Sequence, residues 1–494
     1  MQTEHQGKAG AAGEARAAAR ADKAAQRAEE AKAVFTTLNP DGTRRWLRPR
    51  LSPGRFLTRR RVVAYLLIAL FWALPLVQVN GRPLVLLDIA SRRFHIFGTT
   101  FYPTDTLLIA LLMVGVFLSI FWFTALLGRV WCGWACPQTV YMEFLFRPIE
   151  RFFEGEPGRA AKGWPRTSGA GKALKYVVYA ACSIAIAHAF LAYFVPWSEL
   201  GKWVFGAPWK HPIGFGVVAF VTIAMMADFA YFREQVCLVM CPYGRMQSVM
   251  LDRQSLIIRY DSRRGEPRGA RSARKDVSLP VLGDCVDCRL CVTTCPTGID
   301  IRNGLQMECI GCAQCIDACD AVMEKIGRPR GLIRYSSQAA MEGERPRLLR
   351  PRVVLYPVVI AALAGLFTLT LMNTGVADVT VLRGLGQPFV VKPDGDVENG
   401  VRVKIVNRME KAAEFALSVE GGEGVRLESE TEVVKVEAGQ MLTTPAQVHS
   451  PRGGFSGGRR PVSIVVKGPE GYERRLPFVL LGPSNGAGEA GGGR

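Results

Sequence analysis

Eight cysteines in one short stretch constrain the structure of this chain more than any other feature. They form two runs, CVDCRLCVTTC and CIGCAQCIDAC, and each run reads C-x2-C-x2-C-x3-C. This is the spacing of bacterial ferredoxins, in which the first three cysteines of a run bind one [4Fe–4S] cluster and the fourth binds the other. The predicted ligand sets are Cys285, Cys288, Cys291 and Cys319 for one cluster, and Cys309, Cys312, Cys315 and Cys295 for the other.

Two other uses of clustered cysteines fit this spacing poorly. Disulfides are excluded by the tight loops between the cysteines and by the reducing compartment that the membrane topology below predicts. A zinc ribbon needs two well-separated C-x2-C pairs, whereas this chain has two runs of four. One departure from the ferredoxin pattern is local: Pro296 follows the first run, but Asp320 stands at the matching position of the second. This difference leaves the predicted cluster ligands unchanged. It affects only the conformation of the local turn and the reduction potential of that cluster.

Composition indicates a membrane protein with several domains. The chain has 494 residues, is 49% hydrophobic and carries a formal net charge of +19. Its Lys and Arg residues cluster beside apolar segments, which argues against nucleic-acid binding and for basic loops at a membrane surface. No cysteine follows Cys319, so a disulfide framework is excluded for the C-terminal region.

The apolar segments predict a five-span topology. A basic segment ending at Arg61 precedes the first span and should remain in the cytoplasm, and no cleavable signal peptide opens the chain. An odd number of spans then places the ferredoxin region in the cytoplasm and the C-terminal region outside. The predicted spans cover residues 62–79, 105–127, 176–195, 212–232 and 353–372.

Short segments after Met372, in which apolar and polar residues alternate, predict an antiparallel, Ig-like β-sandwich. We find no acid–base pair or nucleophile among them, which favours a docking or structural role. The segments are 401–407, 414–421, 432–439, 461–468 and 476–483.

The predicted fold is therefore a multidomain membrane protein with an inserted ferredoxin-like α+β domain and a C-terminal sandwich. The predicted boundaries are a disordered basic, Ala-rich tail (1–50), a four-helix transmembrane region (51–250), the 2[4Fe–4S] domain (251–345), a fifth helix (353–372), the sandwich (376–484) and a disordered tail (485–494).

A second chemical signal is a repeated C-x3-C-P motif, which follows the second and the fourth predicted spans. The cysteines are Cys132 and Cys136 in the first copy, and Cys237 and Cys241 in the second. Helical spacing would place each pair on one face, and the proline would fray the turn before it. Thiolates select Cu(I), zinc or iron–sulfur centres. One pair binding Cu(I), both pairs sharing an ion, and a dithiol that cycles to a disulfide all remain open.

A carboxylate near the end of the fourth predicted span is a further candidate functional group. Asp228 is costly to place within a membrane, which by default suggests a function. The alternative is a structural ion pair with the nearby Arg233.

Long stretches of the chain resemble the FixG/CcoG family of cytochrome oxidase accessory proteins. The likeness extends from about residue 40 onward, includes the Asp320 departure, and is carried by residues 81–98, 131–150, 231–269 and 283–327.

The resemblance implies a bacterial inner-membrane protein that assembles cbb3-type cytochrome c oxidase by reducing Cu(II) to Cu(I). On this view the clusters store electrons and the C-x3-C-P cysteines (Cys132, Cys136, Cys237 and Cys241) receive or hold copper. Expected partners are oxidase subunits or copper-delivery proteins, an unidentified cytosolic electron donor and membrane lipid, with no nucleic acid. The alternatives are a quinone-linked electron-transfer subunit and a non-catalytic copper-binding scaffold.

Overall fold

The computed structural model divides the chain into two compact units. One comprises residues up to Phe101 together with Leu112–Leu363, and the other comprises Tyr102–Leu111 together with residues from Ala364 onward. The structure describes residues 37–483 apart from 38, 40, 42, 80–81, 104, 157–158, 161–168, 270–281, 346–349, 410, 430 and 432. The predicted disordered tails therefore lie mostly outside the described residues.

Four helices in the described part of the chain are long and apolar enough to cross a membrane. They correspond to the second, third, fourth and fifth predicted spans; three agree within two residues at each end, whereas the third starts seven residues earlier and ends four residues earlier than predicted. Their bounds are Thr106–Leu127, Gly169–Leu191, Pro212–Phe232 and Pro351–Met372.

The first predicted span, 62–79, becomes a helix that runs from Arg55 to Ala73. It begins in the basic segment, so its apolar part is short, and it ends just before Pro75, as helices commonly do near proline. It does not qualify as a span by length and composition, and the count of five spans is therefore not confirmed.

The first helix makes contacts near both of its ends. At its start, the backbone N–H groups of Phe56 and Leu57 donate to the carboxylate of Asp317, at 3.1 and 2.8 Å. Near its end, Phe71 stacks on Tyr193 with ring centroids 5.3 Å apart, and its carbonyl oxygen accepts a 2.7 Å hydrogen bond from the Tyr193 hydroxyl. These contacts lie about 22 Å apart along the helix, which is shorter than the ~30 Å of a hydrocarbon core.

Shorter elements connect these helices. The short α-helices of this unit are Val130–Trp134, Pro137–Tyr141, Arg147–Glu154, Trp197–Val204, Pro242–Met250, Ser262–Gly265, Leu290–Thr293, Gln314–Lys325 and Gln338–Met341. π-Helical turns occupy Met142–Phe146, Asp228–Phe232 and Val236–Met240, and 3-10 turns occupy Pro208–Lys210 and Ile301–Asn303. The short strands are Gln78–Val79, Arg82–Pro83, Val85–Asp88, Arg93–Ile96, Thr99–Phe101, Gly155–Glu156 and Arg159–Ala160.

The cysteine-rich region folds around a two-stranded antiparallel sheet. Ile257–Tyr260 pairs with Ile333–Ser336, and the two cysteine runs lie between these strands in sequence. The helix Gln314–Lys325 packs its buried face, including Ile316 and Met323, into the same core as several cysteines. The two paired strands thus join the beginning and the end of the cysteine-rich region, and both cysteine runs pack against one apolar core.

The second unit contains two antiparallel sheets that share one apolar core. Strand Asp396–Asn407 alternates buried and less buried residues, and strands from both sheets contribute side chains that are fully buried, such as Val403, Phe415 and Ile464. One sheet has the order Ala377–Arg383, Asp396–Asn407, Met441–Pro451 and Arg426–Ser429, with Val390–Val391 added beside the second strand. The other has the order Val433–Val436, Ala413–Glu420, Arg459–Lys467 and Glu473–Leu481.

This unit also includes the residues at the start of the Thr106–Leu127 helix. Asp105, which directly precedes that helix and is buried, forms a bidentate ion pair with Arg408. Each of the five predicted alternating segments overlaps an observed strand, whereas the prediction missed the strands Ala377–Arg383, Val390–Val391, Arg426–Ser429 and Met441–Pro451.

Candidate functional site

The eight cysteines of the two runs line two neighbouring cavities. One cavity is lined by Cys285, Cys288, Cys291 and Cys319. The other is lined by Cys291, Cys295, Cys309, Cys312 and Cys315. Cys291 therefore lines both cavities, and the last cysteine of each run lines the cavity formed by the other run. This arrangement is compatible with the ligand sets that the spacing predicts, and those sets remain a prediction.

The backbone around the middle cysteine of each run has the same unusual conformation. Asp287 and Arg289 flank Cys288 with φ near +54° and +55°, while Gly311 and Ala313 flank Cys312 with φ of +69° and +62°. Non-glycine residues rarely adopt this left-handed conformation, which costs free energy and concentrates at functional sites. Two runs with the same strained pattern indicate loops shaped to wrap around a bound group.

The chemistry of these cavities fits an iron–sulfur cluster. All thirteen cysteines of the chain are free thiols. Burial is the main cause that raises the pKa of Cys309 to about 11 and of Cys312 to about 12, partly offset by backbone N–H donors from Gly311 and Gln314. Such donors stabilise a sulfur that carries negative charge, and metal binding would displace the remaining protons.

A single metal ion fits these cavities less well than a cluster does. Within the described residues, no three Cys, His, Asp or Glu side chains lie close enough together to hold one ion. A tetrahedral ion with metal–sulfur bonds of ~2.3 Å needs its sulfurs tightly grouped. A cluster of four iron atoms spans a larger volume and accepts thiolates that are further apart.

In the C-x3-C-P motifs the proline begins a new helix rather than fraying an old one. Cys132 lies in the helix Val130–Trp134, but Cys136 is the residue that caps the next helix, Pro137–Tyr141. Cys241 likewise caps Pro242–Met250. Proline is favoured at the first position of a helix, where its missing N–H is not needed. The expectation that each pair lies on one continuous helical face is therefore wrong.

The capping position gives Cys136 an environment suited to a thiolate. The backbone N–H groups of Gln138 and Thr139 point at its sulfur and partly oppose the rise in pKa that burial causes. Helix N-termini favour negative charge and lower thiol pKa values. Burial dominates at Cys132, whose pKa rises to about 11, and at Cys237, whose pKa rises to about 12. Without a metal these two thiols are protonated at neutral pH.

The two motifs meet although about a hundred residues separate them. Cys132 interacts electrostatically with Cys136 and Cys241, and Cys237 interacts with all three of the others. The amide oxygen of Gln247 accepts a hydrogen bond from the Cys132 thiol at 3.1 Å. The four thiols thus form one group at the ends of two apolar helices.

This thiol group lies directly against the second cluster cavity. Cys132, Ile310 and Cys312 belong to one buried apolar cluster. A Cβ atom on Gly133 would lie 2.6 Å from the carbonyl oxygen of Ile310 and 2.8 Å from backbone atoms of Cys312. The absence of a side chain at Gly133 therefore allows the first motif to touch the loop that carries a predicted cluster ligand.

The structure gives Asp228 a different partner from the one predicted. Its carboxylate accepts a 2.8 Å hydrogen bond from the side-chain amide of Gln138, two residues after Cys136. Arg233 instead forms a bidentate ion pair with Glu150, at 2.9 and 2.6 Å. The proposed Asp228–Arg233 pair is therefore wrong, because the buried Glu150 offers Arg233 a closer carboxylate.

Sequence reasoning missed three residues that position these sites. They are Gly133, which permits the close approach, Gln247, which binds the Cys132 thiol, and Asp317, which binds the start of the first helix. Each acts across a long sequence separation, so no local pattern identifies it.

Comparison with known proteins supports the iron–sulfur assignment of this region. Three family models match the chain: a 4Fe-4S dicluster domain at residues 232–338, a 4Fe-4S binding domain at 109–155, and the Ig-like fold at the C-terminus of FixG at 367–483. The cysteine-rich region is thus a ferredoxin-type domain that binds 4Fe-4S clusters.

Two relatives match most of the chain. The nitrogen fixation protein FixG of Rhizobium meliloti is 32% identical over 87% of this chain and 91% of its own length. Protein RdxA of Cereibacter sphaeroides is 34% identical over 76% of this chain and 83% of its own length. Among solved structures, a FixG-related protein from Vibrio parahaemolyticus matches 22% of this chain and 98% of its own, with 18% identity and a TM-score of 0.20.

Proposed function

This chain belongs to the FixG family of iron–sulfur membrane proteins, and on that basis we propose that it reduces Cu(II) to Cu(I) for assembly of a cbb3-type cytochrome c oxidase. The observation that carries the proposal is the contact between the C-x3-C-P thiols and the second cluster cavity. Cys132 and Cys312 pack in one apolar cluster, so a soft-metal site lies beside an electron store.

The proposed cluster ligands are the two sets of four cysteines that line the two cavities. Cys285, Cys288, Cys291 and Cys319 would hold one cluster, and Cys295, Cys309, Cys312 and Cys315 would hold the other. When bound, the clusters store electrons at potentials set by burial, charge and N–H···S hydrogen bonds.

We propose that copper, as substrate, binds the C-x3-C-P thiols through two sulfurs at a time. Within the described residues, no site with three or more protein ligands is formed. Cu(I) can be coordinated by only two thiolates in near-linear geometry. Cys136 is the stronger candidate for a thiolate because the backbone N–H groups of Gln138 and Thr139 point at its sulfur. Cys132 must lose its proton on binding copper, and Gln247 holds that S–H in place beforehand.

For the topology we propose five spans, with the ferredoxin domain in the bacterial cytoplasm and the sandwich outside. The first helix supports this arrangement because its start contacts Asp317 of the cysteine-rich region and its end contacts Tyr193, beyond the far end of Gly169–Leu191. Its basic start would then remain on the cytoplasmic side. The sandwich would meet oxidase subunits or copper-delivery proteins outside.

A stopped-flow experiment tests the proposed reaction. Full-length protein in detergent is reduced anaerobically with dithionite, desalted, and mixed with Cu(II) in the presence of a chelator that is coloured only with Cu(I). We expect Cu(I) to form in step with oxidation of the clusters, followed by their visible absorbance. The Cys132→Ser, Cys136→Ser variant should lose this reaction and keep its iron.

The matched control is Cys182→Ser, which removes a lone thiol on the Gly169–Leu191 helix. It should react like the unmodified chain. If copper binds while the clusters remain reduced, the chain is a copper scaffold and the reductase proposal fails.

A further inference from the structure

The cavity beside Cys309, at the end of the Thr106–Leu127 helix, has no role in the proposed copper chemistry. It measures about 120 Å³ and is lined mainly by apolar side chains. An apolar cavity of ~150 Å³ in another protein is known to hold benzene, so this cavity has room for the quinone ring of a larger headgroup. Its lining includes Arg129 and Val130, Leu251 and Leu256, Ile257 and Ile258, Leu305, Gln306 and Met307, Cys309, Gly311 and Tyr335.

This cavity shares a wall with the second cluster site. Cys309 and Ile258 line both cavities. A ring bound here would therefore be separated from the cluster only by a predicted ligand and one aliphatic side chain.

The cavity is also placed to receive a ligand from the membrane. Arg129 and Val130 follow directly after the apolar helix that ends at Leu127. Two side chains of the lining, Leu305 and Met307, are 49% and 64% exposed, and the adjacent Trp131 is 53% exposed. Exposed aliphatic and aromatic side chains at the end of a membrane helix belong at the interface between lipid and water.

Two polar groups in the cavity match the two forms of a quinone. The Arg129 guanidinium is buried, donates to the carbonyl oxygen of Met307, and has an Nε without a hydrogen-bond partner among the described residues. It can donate to a quinone carbonyl. Gln306 donates through its amide nitrogen to the carbonyl oxygen of Asp300 at 2.6 Å, which leaves its amide oxygen to accept from a quinol hydroxyl.

Copper is a poor candidate for the occupant because the lining offers it few ligands. The cavity wall contains one cysteine, Cys309, whereas each C-x3-C-P motif contains two. A neutral ring with two oxygen atoms fits both the apolar walls and the polar pair.

We propose that this cavity binds a membrane quinol, which is the electron donor for the clusters. The inference rests on the proposed function for the final step, in which the clusters pass electrons to copper. The binding of quinol and the reduction of the clusters by quinol do not depend on it. The quinol loses two electrons and two protons and leaves as quinone. The two electrons fill the two cluster sites, one each, and the two protons pass to water at the exposed mouth of the cavity beside Met307.

A binding experiment tests occupancy without any turnover. The oxidised, cluster-loaded full chain in lipid nanodiscs is irradiated with an azido-benzoquinone carrying a short alkyl tail, and labelled peptides are identified by mass spectrometry. We expect label on residues 305–307 or 129–131, and at least fivefold less label when excess menadione is present. Label confined to the apolar helices, or label that menadione does not compete, overturns the proposal.

A reduction experiment tests the electron transfer. Menadiol is mixed anaerobically with the oxidised chain, and loss of visible cluster absorbance is followed. The Leu305→Trp variant fills the mouth of the cavity and should slow reduction by menadiol at least tenfold, while reduction by dithionite is unchanged. The matched control is Met246→Trp, an exposed apolar position outside the cavity lining, which should leave both rates unchanged.

The outcomes separate this inference from the proposed copper chemistry. Clusters that dithionite reduces but menadiol does not would refute quinol as the donor, as would equal menadiol rates in Leu305→Trp and the unmodified chain. A chain that accepts electrons from menadiol but fails to reduce Cu(II) would support the quinol site and refute the copper reductase.

Discussion

Replacing Gly133 with alanine tests whether the contact between the C-x3-C-P motif and the cluster loop sets the rate of copper reduction. The new Cβ would lie 2.6 Å from the carbonyl oxygen of Ile310 and 2.8 Å from the backbone of Cys312. Ordinary contact begins at 3.4 Å, so the two segments must separate by roughly 0.6 to 0.8 Å. Both obstacles are backbone atoms, which cannot rotate out of the way as a long side chain would.

The expected cost has a structural and a functional part. Overpacking of a tight contact costs about 1–3 kcal/mol, which would lower the thermal stability of the unit that contains both segments. Electron transfer slows as the distance between donor and acceptor grows, so a displacement of this size lowers the rate of copper reduction without abolishing it. We therefore expect Gly133→Ala to keep its full iron content but to transfer electrons to Cu(II) several-fold more slowly.

The assay is the same stopped-flow reaction, with iron content and thermal unfolding measured on each preparation. Gly115→Ala is the matched control, because nothing lies within 4 Å of the Cβ that it adds. It should change neither the rate nor the stability. If Gly133→Ala reduces Cu(II) as fast as the unmodified chain, the close approach does not set the rate and the reasoning fails.

Three further substitutions test other parts of the structure. Asp317→Ala removes the carboxylate that binds the first turn of the first helix, and should cost about 1–2 kcal/mol in thermal unfolding, more than Asp317→Asn. Cys319→Ala and Cys295→Ala should each leave one of the two clusters, so that about half of the iron remains, and electron paramagnetic resonance of the reduced protein should show a different surviving signal in each. Arg408→Ala strands the buried Asp105 carboxylate and should cost about 3 kcal/mol in unfolding of the second unit; the double variant with Asp105→Ala should lose less than the sum of the two single variants.

The parts of the structure that sequence predicted are those with local chemical or periodic signals. The spacing of three residues predicts that Cys285, Cys288 and Cys291 share one site, and these three residues line one cavity. Five of the sandwich strands follow from alternation, because the side chains of Asp396–Asn407 alternate between buried and less buried up to Ile405. Long apolar segments predicted four of the helices, three of them within two residues at each end, whereas the Gly169–Leu191 helix starts seven residues before the predicted span.

What sequence could not predict depends on contacts between distant segments. The pairing of Arg233 with Glu150 was missed because both lie at the ends of helices whose relative placement is a property of the whole fold. The first span was predicted over 62–79, whereas the helix begins at Arg55 and includes basic residues that the prediction placed before the span. In the structure Arg60 of that helix is buried, and its Nε donates to the carbonyl oxygen of Gly133 at 2.8 Å.

These long-range contacts connect the two sites through one closed chain of interactions. Asp317 lies between Cys315 and Cys319 on the helix Gln314–Lys325, and its carboxylate holds the start of the first helix. One turn later Arg60 holds the carbonyl of Gly133, which itself touches the backbone of Cys312. A shift of the cluster helix therefore moves the C-x3-C-P motif with it. The separation between the Cys132 thiol and the predicted cluster ligand Cys312 is therefore set by hydrogen bonds to a single helix, Arg55–Ala73.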